Sequence, residues 1–160
     1  MKIRYYLRGL GLGILFAAVF FLAGGNSKQT MSDEMIKLSH AFMMTMPGVP
    51  FVYYGDEIGM DYIEKLKSKE GGYIRTGART PMQWNSEKNC GFSTAQSDKL
   101  YLQQDPDQNR PTAEQQMADK SSLWNLIKKL IEVRQSHECL QSNAKIEFLE
   151  WGYPLIYRRS

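Results

Sequence analysis

Residues 46–60 read MPGVPFVYYGDEIGM, and no other stretch limits the fold as tightly. An apolar run, 49–54, begins within a Pro-Gly-Val-Pro breaker and runs straight into Gly55, Asp56 and Glu57. Apolar residues on both faces of a short extended run predict a strand covered on each side, as in a parallel sheet. In parallel α/β sheets and barrels the ligand site lies beyond the carboxyl ends of the strands, so the polar residues at 55–57 stand where chemistry is expected. Ahead of the run, 33–46 carries Met35, Ile36, Leu38, Phe42, Met43 and Met46 at helical spacing. Ser32 reads as its N-cap, Asp33 and Glu34 fill the first turn, and Pro47 is the stop. Helix, short turn and buried strand make one αβ unit.

The rest of the chain extends this pattern without completing it. At 160 residues the sequence is shorter than a full (β/α)8 barrel, which takes about 250. A polar segment with Gly71, Gly72, Pro81, Pro106 and Pro111 fills 61–120, longer than an idle connection needs to be, and loops of that length tend to be functional. A second helix is predicted over 121–138, where Leu123, Trp124, Ile127, Leu130, Ile131 and Arg134 follow the 3.6-residue period. Two strand-like pieces, 145–150 and 155–157, close the sequence around Trp151-Gly152-Tyr153-Pro154.

The first 25 residues differ in kind. Basic residues in MKIRYYLR precede the uncharged run 9–25, after which NSKQTMSDE is polar, the layout of an export signal or a membrane anchor. Asn26 stands where an acylated cysteine would be needed, which argues against a lipid anchor. The competing reading is a buried helix of a soluble domain. A net charge of +3, concentrated at Lys2, Arg4 and Arg8 and at Arg158 and Arg159, gives no basic stripe with interleaved aromatics, so nucleic acid is not an expected partner. Cys90 and Cys139 are far apart and have no metal-ligand spacing, which predicts two unpaired thiols, no metal site and no cofactor.

Several motifs carry a resemblance. The sequence MPGVPFVYYGDEIGM resembles the last barrel strand and following loop of the alpha-amylase family, glycoside hydrolase family thirteen. GARTPMQW, 77–84, resembles the signature that follows this strand in the oligo-1,6-glucosidase, alpha-glucosidase and trehalose synthase branch. CGFST, YLQQDP, the helix SLWNLIKKLIEVRQSHECL and the closing IEFLEWGYPLIYRR occur in the same order as in that family.

The resemblance implies an α/β chain that is the C-terminal fragment of a (β/α)8 TIM barrel, followed by the start of a β-sandwich and preceded by an N-terminal hydrophobic helix. Residues 1–25 would be the signal peptide or membrane anchor, 26–140 the partial catalytic barrel (last strand, long loop, last helix) and 141–160 the first sandwich strands. Family members hydrolyse or transfer α-linked glucosyl units with retention, using two carboxylates about 5 Å apart. In the family these, and a third carboxylate, come from barrel strands four, five and seven, which the sequence does not contain. Where an Asn-His-Asp motif would precede the first helix it has NSKQTMSDE, and its histidines, His40 and His137, are expected within helices. No catalytic residue is therefore assigned, and the chain alone is expected to be inactive.

Asp56 and Glu57 are adjacent, and on an extended segment they face opposite ways, so they cannot flank one glycosidic bond. Glu57 is the candidate to hold the loop or contact substrate. The resemblance places Arg79 at the floor of a glucose pocket, where a planar fork of donors suits sugar hydroxyls. Trp84 would stack on a sugar face or pack under the loop. The implied partner is an α-linked gluco-oligosaccharide, with membrane contact through 1–25 and a membrane-associated or exported location, although relatives in this branch are often cytoplasmic. The alternative is a small membrane-anchored envelope protein whose domain binds sugar or a partner without catalysis.

Overall fold

The computed structural model of the protein describes residues 33–68, 71 and 74–160. The hydrophobic helix and export segment expected over 1–25 lie outside the described residues. No helix among the described residues is long and apolar enough to cross a membrane. The described residues form two compact units, one drawn from 33–51 and 127–160, the other lying within 52–126.

In the first unit, helix α1 spans Asp33–Thr45, with Asp33 and Glu34 at its positive end. Lys37 pairs with Glu34 one turn away at 3.4 Å. The helix stops before Pro47, which cannot donate a backbone bond. Its buried face is narrower than the periodicity predicts: His40 and Met44 are covered, as is Met46 just beyond, whereas Met35 is 54% and Leu38 69% exposed. The helix's last carbonyls are taken by arginines. Arg134 donates to the carbonyls of Met44 at 2.6 Å, Met46 at 2.9 Å and Gly48 at 2.6 Å, and Arg159 donates to Thr45 at 3.1 Å. Strands β1, Ile146–Trp151, and β2, Leu155–Arg159, pair antiparallel with an irregularity between Phe148 and Glu150. Tyr157 of β2 packs edge-on to Phe42 of α1 at 6.0 Å, and its hydroxyl meets that of Thr45.

The second unit has little regular structure. Helix α2, Ala113–Ala118, is capped by the Thr112 hydroxyl, which accepts from the Gln115 N–H at 3.3 Å. Helix α3, Leu123–Ser136, starts in this unit and ends in the other; the Ser122 hydroxyl accepts from the Asn125 N–H at 3.2 Å and caps it. Short 3₁₀ turns at Asp56–Ile58, Ile74–Ala78, Lys88–Gly91 and Ser97–Lys99 are its other regular pieces among the described residues. Ile58, Met82 and Ala113 form a small core, with Met60 and Trp124 packed on it.

One sequence expectation changes. Residues 49–54 are not a buried strand: they have no ladder partner among the described residues, and Val49 is 70% and Phe51 81% exposed. A strand exists by pairing, so the apolar run stays an extended, uncovered segment. The 61–120 segment, expected to be a long functional loop, has mostly irregular backbone around a core of its own. It buries Thr80, Met82, Gln83, Asn89, Cys90, Leu102, Asp105 and Thr112, a core in which polar side chains predominate. Cys90 and Cys139 are both free thiols.

Candidate functional site

The polar end of MPGVPFVYYGDEIGM forms a tight turn, and its two carboxylates are spent on building it. Gly55 has φ +94°, and a Cβ there would lie 2.7 Å from the Met60 sulfur, so the position needs glycine. The Glu57 carboxylate accepts the Gly55 N–H at 2.8 Å, and the Asp56 carboxylate accepts the Tyr53 N–H at 2.9 Å. Both residues lie on the 3₁₀ turn Asp56–Ile58 rather than on an extended segment. Each carboxylate is thus tied to a backbone N–H of the turn.

GARTPMQW lies across from this turn. A Cβ at Gly77 would fall 2.1 Å from the Ile63 carbonyl oxygen, and the Ile63 N–H donates to Gly77 at 3.2 Å, so glycine permits this backbone contact. The Tyr54 hydroxyl donates to the carbonyl of buried Thr80 at 3.1 Å and joins the turn to the motif. Burial raises the Tyr54 pKa above its ordinary value and the neighbouring Tyr53 adds to this, while the Arg79 charge opposes it. The carbonyls of Gln83 and Trp84 accept the N–H groups of Ala113 at 2.8 Å and Glu114 at 2.9 Å. These are the free donors at the start of α2, so the helix end fixes the backbone that carries Trp84.

The result is a cleft of about 350 Å³ to which Tyr54, Glu57, Arg79, Trp84, Phe92 and Tyr101 contribute. The three residues singled out in the sequence, Glu57, Arg79 and Trp84, all reach it. The Arg79 guanidinium has no ion-pair or hydrogen-bond partner among the described residues, and Trp84 is 49% exposed. Phe92 and Tyr101, 50% and 51% exposed, line the cleft too and were missed as site residues, although they belong to the CGFST and YLQQDP motifs. Aromatic faces with one free planar cation can hold a ring bearing C–H faces and hydroxyl edges. No group of three or more His, Cys, Asp or Glu side chains among the described residues is placed to hold a metal.

His40 and His137 stand away from this chemistry. His40 is buried in α1 with a ring nitrogen 2.9 Å from the Ile36 carbonyl, and His137 follows the end of α3.

Phe92 owes its position to an unusual turn. Asn89, Cys90 and Gly91 are successive left-handed residues, with φ of +52°, +54° and +70°. Non-glycine residues visit this region at a cost and seldom in succession. The turn is held by the Cys90 carbonyl, which accepts from Trp84 at 2.9 Å and Asn85 at 3.2 Å. The Asn89 amide nitrogen donates to Ser93 at 2.7 Å and Ala95 at 2.8 Å, and its oxygen accepts from Ser97 at 2.8 Å.

Residues 21–143 match the family profile for the alpha amylase catalytic domain, so the match begins inside the segment read as a signal or anchor. The trehalose synthase/amylase of Mycobacterium tuberculosis is 39% identical over 115 residues, 69% of this chain and 18% of that protein. The oligo-1,6-glucosidase of Parageobacillus thermoglucosidasius is 30% identical over 153 residues, 78% of this chain and 26% of the other. Among solved structures, the trehalulose synthase of Pseudomonas mesoacidophila superposes with a TM-score of 0.68 at 22% identity, over 85% of this chain and 29% of that one. The fold is accordingly part of an alpha-amylase TIM-barrel-type domain. The chain spans only about a fifth to a quarter of the length of the curated relatives it matches, 18% and 26% in the two named above.

Proposed function

Because the chain belongs to the alpha-amylase family of glycoside hydrolases, we propose that its cleft receives a glucosyl unit of an α-linked gluco-oligosaccharide and serves as one wall of a retaining glycosidase or glucosyl-transfer site. The observation that carries this reading is the unpaired Arg79 guanidinium beside the aromatic faces of Tyr54, Trp84, Phe92 and Tyr101. Arg79 donates to sugar hydroxyls, Trp84 takes a ring face, and Glu57 holds the Gly55 turn that frames the opening.

The chain contributes binding and no chemistry of its own. Retaining hydrolysis needs a nucleophile and a separate acid/base, and Asp56 and Glu57 are engaged by backbone donors on one short turn. The division into 1–25 as signal or anchor, 26–140 as partial barrel and 141–160 as the start of a β-sandwich is part of the same proposal. Support for a membrane-associated or exported location comes from the basic flank and uncharged run of the sequence.

Titration of the full chain with maltose, followed through the Trp84 indole, tests the reading. Saturable binding is expected, weakened about tenfold by Arg79→Ala, as fits loss of a charge-assisted hydrogen bond. No turnover of p-nitrophenyl α-glucoside is expected. Absence of binding overturns the sugar site, and hydrolysis that purifies with the chain and vanishes in Asp56→Asn or Glu57→Gln overturns the non-catalytic assignment.

A further inference from the structure

The left-handed turn has a second side. Asn89 and Cys90 line a separate cavity of about 430 Å³ in the same unit, to which Ser97, Gln103, Gln104 and Arg110 also contribute. Residues 100–104 divide likewise, with Tyr101 and Leu102 on the cleft and Leu100, Gln103 and Gln104 on the cavity. The volume suits a ligand of about disaccharide size.

Its polar groups are oriented but incompletely used. The Gln104 amide nitrogen donates to the Asn89 carbonyl at 2.8 Å, which fixes the amide and leaves its buried oxygen without a donor. Arg110 donates from Nε to the Cys90 sulfur at 3.0 Å and from one terminal nitrogen to the carbonyls of Asp105 at 3.2 Å and Asp107 at 2.7 Å. Its other terminal nitrogen has no partner among the described residues, nor does the exposed Gln103 amide.

Charge narrows the ligand class. Asp98 and Asp105 line the cavity against the single cation Arg110, which disfavours anions, while the guanidinium disfavours a bound cation. What remains unpaired and within reach is the Gln103 amide, a donor and an acceptor together, with the spare Arg110 donor, the complement of a neutral molecule rich in hydroxyls.

We propose that this cavity is a second binding site, distinct from the Arg79 cleft, for a neutral polyhydroxylated ligand such as a short saccharide, held by Gln103 and Arg110. The left-handed turn Asn89–Gly91 is the wall between the two sites, presenting Asn89 and Cys90 to one and Phe92 to the other.

Maltose titrated into the full chain, with amide and indole chemical shifts followed residue by residue, tests this. A set of shifts at Asn89, Ser97, Gln103 and Gln104 should saturate with its own dissociation constant, separate from the Trp84 indole. Gln103→Ala removes an exposed amide that the fold does not use, and should weaken the cavity set about threefold to tenfold without altering the cleft set. Cavity residues that do not shift at saturating maltose, or a cavity set that Gln103→Ala leaves unchanged, overturn the proposal. A cavity set that persists when the indole shows no binding supports this site while refuting the cleft.

Discussion

The two units of the chain are stabilised by different means. The unit containing α1 and the β1–β2 hairpin relies on repetitive backbone bonding, with arginines 134 and 159 closing carbonyls that the helix end leaves open. The unit of 52–126 relies on single side chains that each do one job: Thr112 caps, Asn89 gathers a loop, and Glu57 and Asp56 close a turn. The difference teaches that the first unit tolerates changes that keep pattern and charge, whereas the second depends on the identity of individual polar residues. The strained backbone at 89–91 lies in the second unit, beside both cavities.

The largest expected effect therefore comes from the first unit's arginine. Arg134→Ala strips donors from three carbonyls and should cost about 3 kcal/mol, as charged hydrogen bonds of this kind are worth. Amide exchange should accelerate through 34–46 and 146–159 and stay unchanged at Trp84 and Ala113. Equal acceleration in both units would break the comparison. Arg134→Lys keeps the charge without the planar fork and should recover only part of the loss.

A smaller effect is expected at Asn89. Asn89→Ala loses the bonds to Ser93, Ala95 and Ser97 and places alanine at φ +52°, for about 2 kcal/mol of destabilisation in urea titration. Asn89→Gly loses the same bonds but accepts the backbone, so it should be the milder change by about 1 kcal/mol. If the two variants are equal, left-handed strain is not part of what Asn89 manages.

Gln83 sharpens the comparison in the opposite direction. It is fully buried, yet neither amide atom has a partner, so its polarity is a cost to the unit. Gln83→Met keeps length and flexibility while removing that cost, and should raise stability by about 1–2 kcal/mol. A loss of stability would mean that the amide is satisfied in solution.

Sequence patterns made the first unit legible and left the second nearly opaque. Helical spacing and Pro47 located α1 to within a residue, and the strand-like pieces at the end became β1 and β2, because periodicity and breakers act locally. The run 49–54 misled for the converse reason: its apolar character predicts burial, but a strand needs a neighbour that sequence periodicity does not supply. In the second unit, α2 went unseen because six residues are too few to show a period. The cleft could be read only through motif resemblance, and that singled out Arg79, Trp84 and Glu57 while passing over Phe92 and Tyr101. Both sit in stretches with no periodicity, placed by the left-handed turn and its side-chain bonds. The second cavity had no sequence signal at all, since Gln103, Gln104 and Arg110 are ordinary polar residues until the turn folds against them.

The smallest expected effect is a pH dependence confined to the second unit. Desolvation raises the Asp61 carboxyl above its ordinary value of 3.8, and the charges of Asp105 and Asp107 push it the same way. The unfolded chain has the ordinary value, so between that value and the raised one the folded state holds more protons. Stability from this group is therefore greatest in acid, falls as pH rises through the window above 3.8, and is level beyond it. Asp61→Asn carries no charge to be desolvated or repelled. The stability of the variant relative to the parent should accordingly increase from about pH 3 to about pH 7, by a small amount because Asp61 remains exposed to solvent. Taking the difference between the two proteins at each pH cancels the titration of every group that does not interact with Asp61. A difference that is flat, or that falls with pH, would show that Asp105 and Asp107 do not bear on Asp61 and that the second unit's acidic residues act independently.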